Sequence, residues 1–373
     1  MKPIRILHVL GPMHRAGIET WLMHVLRQID RERYHMTFLV HTNEPAAYDE
    51  EVRALGARIL PCPFTRRPIK YAQRFLEIAK RFGPFDVLHS HVHNFSGFVV
   101  WLGSVAGIPT RIAHSHNDTR IVDVAATYHR KAYLSLTGRL LTRFSTCRLA
   151  ASASAASALY GDGWRRDRRT RILYYGVDLA PYSLKADRSV VRSEFGFKAD
   201  DIVFGHAGRF VPQKNHDFLI NIAAEIAKRE TKAKFLFLGE GPLRPLIEDR
   251  VRRAGLAGRT VFAGSRPDVP RLMQGAMDRF LFPSHYEGLG LVLTEAQAAD
   301  LPAIISDAIP SEVDVVPNLI TRLSLQQPAA VWAQQALLNR DSAASNGLKQ
   351  IEGSAFNIVA SVKYLMDIYS AQH

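Results

Sequence analysis

Short apolar runs alternate with segments of helical periodicity along the first half of the chain. The runs that predict strands occupy 4–10, 36–41, 57–60, 86–90, 110–113 and 171–174, and helical spacing covers 70–81, 95–106 and 150–160. Strands joined through helices form parallel βαβ units. The first half therefore predicts a doubly wound parallel sheet with helices on its faces.

The same pattern begins again in the second half. Predicted strands lie at 202–207, 234–238, 260–262, 279–282 and 303–306, with helices at 217–228, 243–254, 269–275 and 291–299. A last amphipathic helix is predicted over 354–369. The fold class expected is α/β, with two Rossmann-like doubly wound parallel-sheet domains that face a central cleft.

The domain boundary is placed after Lys185. This division gives an N-terminal domain at 1–185, a C-terminal domain at 186–353, and a helix at 354–373 that is expected to cross back to the N-terminal domain. The length of 373 residues fits two domains, and 47% hydrophobic with 22% charged residues is ordinary globular composition. Two cysteines exclude a disulfide-based scaffold.

Net charge separates the two halves. Residues 1–185 contain 27 Lys and Arg against 14 Asp and Glu, whereas residues 186–373 contain 21 of each, so the whole excess of +13 lies in the first half. A one-sided basic surface indicates an anionic partner such as lipid, nucleic acid or an acidic substrate. The plainer alternative is a solubility feature. The longest apolar stretch, 95–108, is too short to span a membrane.

Loops that follow predicted strands in the second half carry the candidate chemistry. Arg209 and Lys214 lie five residues apart across a turn, where two cations can hold one polyanion. Gly239 follows the next strand, and a loop at 264–269 contains Arg266. A fourth loop runs from Pro283 into a helix whose N-terminus suits phosphate. Ligand-type loops on successive strands of one sheet predict a single binding site.

The fourth loop contains two glutamates, Glu287 and Glu295, in a Glu-x7-Glu arrangement within FLFPSHYEGLGLVLTEAQAADLPAIISD. Together with the Arg209 and Lys214 pair, this segment resembles the donor-binding motif of the retaining nucleotide-sugar glycosyltransferases of the GT-B class, family 4. The resemblance covers essentially the whole chain. RIAHSHN and YYGVDLAPY are most similar to bacterial capsule and exopolysaccharide transferases.

The resemblance implies a role for each candidate residue. Arg209 and Lys214 would hold the donor diphosphate, Glu287 would contact the transferred sugar, and Glu295 would bind the ribose hydroxyls. The β-phosphate would meet the backbone around Gly288, Leu289 and Gly290, the nucleotide base would lie by the loop of Arg266, and Gly239 would allow close approach. In the first half, Gly17 belongs to the family's glycine loop and His116 matches its active-site histidine.

The family also implies the type of reaction. We expect a retaining transfer from a nucleotide-sugar, with a UDP-sugar favoured and a GDP-sugar possible, to a hydroxyl of a lipid-linked saccharide in surface polysaccharide biosynthesis. No metal and no cofactor are expected, in agreement with the lack of an Asp-x-Asp pair. Asp300 replaces a glycine of the family and is expected to tolerate left-handed backbone. Tyr175 replaces the more usual Asn, with no consequence evident from the sequence.

Three histidines, His89, His91 and His93, alternate along one segment. On an extended chain their side chains would point the same way. Zinc binding, contact with the acceptor and a structural role all remain open for them.

Basic residues beside aromatic ones occur in three clusters of the first half. Arg66, Arg67 and Arg74 accompany Tyr71 and Phe75, and similar mixtures occupy 130–144 and 164–169. This combination suits an anionic bilayer surface. The expectation is a cytoplasmic enzyme that is peripheral on the inner face of the membrane, with a lipid-linked or oligosaccharide acceptor.

Two functions other than sugar transfer are considered as alternatives. Another two-Rossmann enzyme, such as an epimerase, would act without an acceptor. A nucleic-acid binder would use the basic half, but no recognition motif for RNA or DNA is present, so no nucleic-acid partner is expected.

Overall fold

A computed structural model describes residues 2–63, 67–118, 120, 127–338 and 346–371. The chain forms two compact units. The first combines the chain up to Gly176 with the segment from Ile358 onward, and the second is Val177–Asn357. The units divide at Gly176, upstream of the predicted boundary after Lys185, because the intervening segment packs on the second unit: Gln274 donates to the backbone oxygen of Tyr182 at 2.8 Å.

The first unit is built on a seven-stranded parallel sheet in the order β3-β2-β1-β4-β5-β6-β7. Its strands are β1 (Ile4–Leu10), β2 (Tyr34–Val40), β3 (Arg58–Pro61), β4 (Val87–Ser90), β5 (Thr110–Ser115), β6 (Cys147–Ala150) and β7 (Thr170–Ile172). The described helices of this unit are α1 (Gly17–Gln28), α2 (Asp49–Ala54), α3 (Pro68–Phe82), α4 (Ser96–Val105), α5 (Tyr128–Phe144), α6 (Ala153–Tyr160) and α14 (Ile358–Ser370).

The second unit is built on a six-stranded parallel sheet in the order β10-β9-β8-β11-β12-β13. Its strands are β8 (Ile202–Ala207), β9 (Ala233–Leu238), β10 (Thr260–Gly264), β11 (Arg279–Phe282), β12 (Ala303–Ser306) and β13 (Ile320–Leu323). Its described helices are α7 (Arg188–Ser193), α8 (His216–Arg229), α9 (Arg244–Arg253), α10 (Val269–Gly275), α11 (Leu291–Ala298), α12 (Ala329–Leu337) and α13 (Gly347–Glu352).

Apolar strands and the apolar stripes of helices form the core of each unit. In the second unit, Phe204, Phe235 and Phe237 of neighbouring strands are fully buried against α8 and α12. In the first unit, α3 turns Tyr71 and Phe75 into a cluster with β1, β4 and α4. Because both faces of these parallel sheets are covered, their strands are nearly continuous apolar runs. The predicted pair of parallel-sheet α/β domains is confirmed.

The last helix begins at Ile358, four residues later than predicted, because residues 354–357 form a turn in which Phe356 N–H donates to Ser354 Oγ at 3.1 Å. The helix belongs to the first unit. The Tyr34 and Ser370 hydroxyls lie 2.7 Å apart, and Ser361 donates to the backbone oxygen of Tyr174 at 2.9 Å. These contacts attach α14 to the β2 side of the sheet and to the end of the first unit.

Candidate active site

The loops after β8 and β9 lie backbone against backbone at the carboxyl edge of the second sheet. Gly239 has φ +129°, and a Cβ atom there would lie 2.0 Å from the backbone oxygen of Gly208. At Gly241 a Cβ atom would lie 2.5 Å from the backbone oxygen of Phe210. Only glycine allows this approach, so the two glycines let the backbones of the two loops pack directly against each other.

Lys214 and Glu287, predicted from separate loops, form an ion pair of 2.7 Å. Glu287 is 6% exposed, and its second carboxylate oxygen accepts from Gln213 Nε2 at 3.2 Å. Gln213 also donates to the backbone oxygen of Tyr286 at 2.9 Å. The Lys214 ammonium lies 4.7 Å from the ring centroid of Phe282. The ion pair has no net charge, so an anion that binds Lys214 must compete with Glu287 for its ammonium group.

Arg209 is exposed, and its side chain makes no ion pair or hydrogen bond with any described residue. A guanidinium in this state keeps all its donors for an external anion. The loop is held on both sides of Arg209, because Gly208 N–H donates to the backbone oxygen of Leu238 at 3.0 Å and Phe210 N–H to that of Glu240 at 2.9 Å. The structure therefore supplies one free cation and one internally paired cation in the same loop.

The loop between β11 and α11 ends on Gly290, which has a left-handed backbone with φ +85°. Gly290 is the N-cap of α11, so no side chain caps the first N–H groups of this helix. Leu289 is buried and anchors the loop, while Gly288 lies between Glu287 and this anchor. Uncapped N–H groups and the positive end of the helix dipole suit a phosphate oxygen.

Glu295 lies inside α11, and burial raises the pKa of its carboxyl to about 7. No described residue hydrogen-bonds with this carboxyl. The Tyr182 hydroxyl is buried and forms no hydrogen bond with any described residue. The pKa of Tyr182 is raised by burial first and by the charge of Glu295 second. Two unsatisfied polar groups at one place can be satisfied by the hydroxyls of a ligand. Tyr182 was not among the predicted residues, although it lies in the segment YYGVDLAPY.

Arg266 is held inside its own loop. Its guanidinium donates to both oxygens of Asp268, at 2.7 and 2.8 Å, and Asp268 also accepts from Arg271. Hydrogen bonds from Arg266, and then from Arg271, lower the pKa of Asp268 to about 2. Arg271 in turn binds Glu194 at 2.7 Å. The network keeps the loop at the end of β10 in place, and the Arg266 side chain is engaged within it.

In the first unit, five buried histidines lie together on or just after neighbouring strands. Their ring nitrogens form two chains at hydrogen-bond distance. In one chain, His8 Nδ1 lies 3.0 Å from His91 Nε2, and His91 Nδ1 lies 2.9 Å from His116 Nε2; His116 Nδ1 then contacts the hydroxyl of Tyr175. In the other, the Tyr369 hydroxyl lies 2.8 Å from His89 Nδ1, and His89 Nε2 lies 3.1 Å from His114 Nδ1.

Burial lowers the pKa of all five imidazoles, to about 3 for His8 and His114. Neutral imidazoles can bind metals, and the trios His8, His89, His91 and His91, His114, His116 have candidate ligand atoms within 4.8 Å of one another. The contacts of 2.9–3.1 Å are shorter than the roughly 3.3 Å between two nitrogens bound at 2.0–2.1 Å to one tetrahedral ion. The observed distances are those of a hydrogen-bonded network.

His93 differs in backbone geometry from the histidines of this cluster. The expectation that His89, His91 and His93 point the same way is wrong for His93, because β4 ends at Ser90 and the chain turns into a 3₁₀ helix at His93–Phe95. His93 has φ +48°, outside extended geometry. His116 is 5% exposed and both its ring nitrogens are occupied, so a substrate group would have to displace His91 or Tyr175.

The other predicted residues of the first unit lie at its periphery. Gly17 is the first residue of α1, and a Cβ atom there would meet nothing within 4 Å. Arg67 is the exposed N-cap of α3, and the exposed Arg74 donates to the backbone oxygen of Pro61 at 3.3 Å. Arg66 lies outside the described residues. No helix in the described part of the chain combines the length and hydropathy needed to cross a bilayer.

Family comparison covers both halves of the chain. Residues 187–344 match the glycosyl transferases group 1 family, and residues 16–176 match the glycosyl transferase 4-like domain. The chain is similar to the putative glycosyltransferase EpsF of Bacillus subtilis, with 36% identity over 335 residues, which cover 88% of this chain and 86% of EpsF.

Two further proteins extend the comparison. An Escherichia coli UDP-Gal:alpha-D-GlcNAc-diphosphoundecaprenol alpha-1,3-galactosyltransferase is 23% identical over 82% of this chain and 79% of its own length. The crystal structure of Anabaena HepE in complex with UDP-glucose has a TM-score of 0.82 and 19% identity, over 99% of this chain and all of HepE. This likeness shows the GT-B fold class. Two matched domain families and the extended likeness to EpsF show that the chain belongs to the group 1 glycosyltransferases.

Proposed function

We propose that the chain is a retaining glycosyltransferase that moves a sugar from a nucleotide-sugar to a hydroxyl of a lipid-linked saccharide in surface polysaccharide biosynthesis. A UDP-sugar is the favoured donor, and a GDP-sugar is the alternative. The observation that carries the proposal is the Lys214–Glu287 ion pair. Its two loops also contain Arg209, whose side chain pairs with no described residue, and the uncapped N-terminus of α11.

The proposed donor site divides the ligand among these groups. Arg209 and Lys214 hold the diphosphate, and the first N–H groups of α11 donate to its remaining oxygens. Glu287, released from Lys214, accepts from hydroxyls of the transferred sugar. Glu295 and the Tyr182 hydroxyl bind the ribose, which gives hydrogen-bond partners to two side chains that have none among the described residues. Two cations and a helix dipole can stabilise the leaving diphosphate, so the proposed transfer needs no metal ion.

The proposed chemical step keeps the anomeric configuration. The bond between the anomeric carbon and the phosphate oxygen breaks, and the acceptor oxygen attacks that carbon from the same face. The proton of the acceptor hydroxyl passes to the departing diphosphate oxygen, which is the nearest base. Arg209 and Lys214 stabilise the negative charge that develops on this oxygen, an electrostatic contribution that is commonly worth several kcal/mol.

The relatives support the choice of substrates. The E. coli relative is named for UDP-galactose and for a diphosphoundecaprenol-linked acceptor, and HepE was crystallised with UDP-glucose. The decisive experiment incubates the protein with a panel of UDP- and GDP-sugars, a short-chain polyprenyl-diphosphate-linked GlcNAc, and EDTA. We expect a disaccharide product whose anomeric proton coupling matches that of the donor. An inverted product, or free sugar without transfer, would contradict the proposal.

We also propose that the enzyme docks on anionic membrane through α5. This 17-residue helix contains no acidic residue and carries Arg130, Lys131, Arg139 and Arg143. Tyr128 and Leu136 of the same helix are 82% and 58% exposed. Exposed aromatic and aliphatic side chains beside basic ones are the combination that binds an anionic bilayer interface.

Vesicle sedimentation tests this docking. We expect the wild type to bind vesicles that contain 30% phosphatidylglycerol, and the Arg130→Glu, Lys131→Glu variant to lose most of that binding. The matched control is Arg252→Glu, Arg253→Glu, which makes the same charge change on an exposed helix of the second unit. Equal loss in both variants would indicate a non-specific charge effect and would contradict docking through α5.

A further inference from the structure

A cavity of about 260 Å³ opens at the carboxyl edge of the first sheet, outside the proposed donor site. It lies where β2 and β3 end and α3 begins, the edge at which parallel α/β sheets bind ligands. The residues that line it are Asn43, Cys62, Pro63, Lys70, Tyr71 and Arg74. The mechanism proposed above uses none of them.

Two cations converge on this cavity. Lys70 and Arg74 lie four residues apart on α3, so their side chains project from the same face of the helix. Within the described ranges, neither forms an ion pair, and the only hydrogen bond of either side chain runs from Arg74 to the backbone oxygen of Pro61. Like charges at this spacing repel each other, and an anion between them removes the repulsion.

The rest of the lining leaves the cavity without negative charge. Burial raises the pKa of the Cys62 thiol to about 11, so this side chain is neutral at physiological pH. The Tyr71 hydroxyl lies 2.8 Å from His41 Nε2, which fixes the ring that forms one wall. Asn43 is exposed and offers an amide donor at the opening. A lining with two cations and an amide donor, and with no carboxylate among the residues named, suits a phosphoryl group.

We propose that this cavity binds a phosphoryl anion of the acceptor, with Lys70 and Arg74 as its two cationic ligands. The inference rests on the proposed transferase function for the identity of the ligand: the phosphoryl group is the diphosphate that links a saccharide to its lipid carrier. A free phosphorylated metabolite offers the same chemistry. The site is independent of the donor diphosphate site, which belongs to the second unit.

Isothermal titration with inorganic pyrophosphate tests the site while the donor site is occupied by saturating UDP. We expect one pyrophosphate to bind under these conditions. The Lys70→Gln, Arg74→Gln variant should bind pyrophosphate at least tenfold more weakly and keep its affinity for UDP. Lys80→Gln, Arg81→Gln is the matched control, because it removes two exposed cations of the same helix away from the cavity. Lys70→Gln alone removes no hydrogen bond of the described structure and guards against misfolding.

A second titration, with geranyl diphosphate, distinguishes the two sources of the anion. Tighter binding than that of pyrophosphate indicates a lipid-linked ligand, whereas equal affinity indicates a free phosphorylated one. The proposal is overturned if UDP removes all pyrophosphate binding, or if the Lys70→Gln, Arg74→Gln variant binds as the wild type does. A failure of the proposed donor site is separate: the protein would then not bind UDP, and the same pyrophosphate site would be measured in a Lys214→Ala background.

Discussion

Replacing Glu295 by glutamine should stabilise the enzyme and weaken its affinity for nucleotide at the same time. The pKa of Glu295 is raised from 4.5 to about 7 by burial. The folded state therefore binds more protons than the unfolded state between these two values. Stability falls as the pH rises through this window, because the unfolded chain releases the Glu295 proton while burial makes the folded carboxyl keep it.

The magnitude follows from the shift. Each pKa unit corresponds to about 1.4 kcal/mol, so the raised pKa of Glu295 destabilises the fold by about 3 kcal/mol at pH 8 and by about 1 kcal/mol at pH 5. Glutamine has the same shape and no charge, so Glu295→Gln should recover these amounts. For a unit of this size, a gain of 3 kcal/mol corresponds to a rise of roughly 6–12 °C in the unfolding midpoint.

Thermal unfolding at pH 5 and pH 8 measures the stability change, and Glu352→Gln, at an exposed position of the same unit, is the control. The affinity for UDP should change in the opposite direction at pH 8, with a loss of roughly 10- to 100-fold, since hydrogen bonds to a charged group contribute about 1.5–3 kcal/mol each. Equal stabilisation at both pH values, or unchanged UDP affinity in the variant, would refute the reasoning.

Two further outcomes are expected. His8→Phe should reduce the loss of stability between pH 6.5 and pH 4, as measured by the unfolding midpoint at each pH. Burial lowers the pKa of His8 to about 3, so in this range the unfolded state takes up a proton that the folded state does not. A pH dependence as steep as in the wild type would contradict this. Gly239→Ala should lower the thermal midpoint by several degrees and abolish UDP binding, because its Cβ atom would overlap the backbone oxygen of Gly208, whereas Gly258→Ala, whose Cβ meets nothing within 4 Å, should leave both unchanged.

The parallel α/β architecture could be predicted because its strands are continuous apolar runs between turn residues. The sequence pattern did not predict the shorter or more polar strands: β6 has four residues and contains Arg148, and β13 has Thr321 and Arg322 side by side in its middle. The left-handed conformation expected at Asp300 is confirmed by its φ of +53°. The hydrogen bond that Asp300 accepts from Gly347 N–H at 2.7 Å connects distant segments and leaves no local trace in the sequence.

The candidate site also combines features that the sequence predicts with features that only the tertiary structure reveals. The Lys214–Glu287 ion pair joins two loops whose positions after β8 and β11 indicated that they would meet. Tyr175 had no evident role in the sequence, yet its hydroxyl contacts His116 and its ring stacks on Trp21 at 4.7 Å. Its partners come from α1 and from the end of β5, so only the tertiary structure reveals them. The histidine network has the same origin, because side chains from three strands form it.

The most direct test of the account is a calorimetric titration of wild type and Lys214→Ala with UDP, both in EDTA. Two cationic side chains and the N-terminus of α11 are proposed to hold the diphosphate without a metal. We therefore expect wild type to bind UDP in EDTA, and Lys214→Ala to bind at least tenfold more weakly, since a charge-assisted hydrogen bond contributes about 1.5–3 kcal/mol. Lys228→Ala, an exposed residue of α8, should bind as the wild type does. UDP binding that disappears in EDTA, or that is unchanged in Lys214→Ala, would contradict the account.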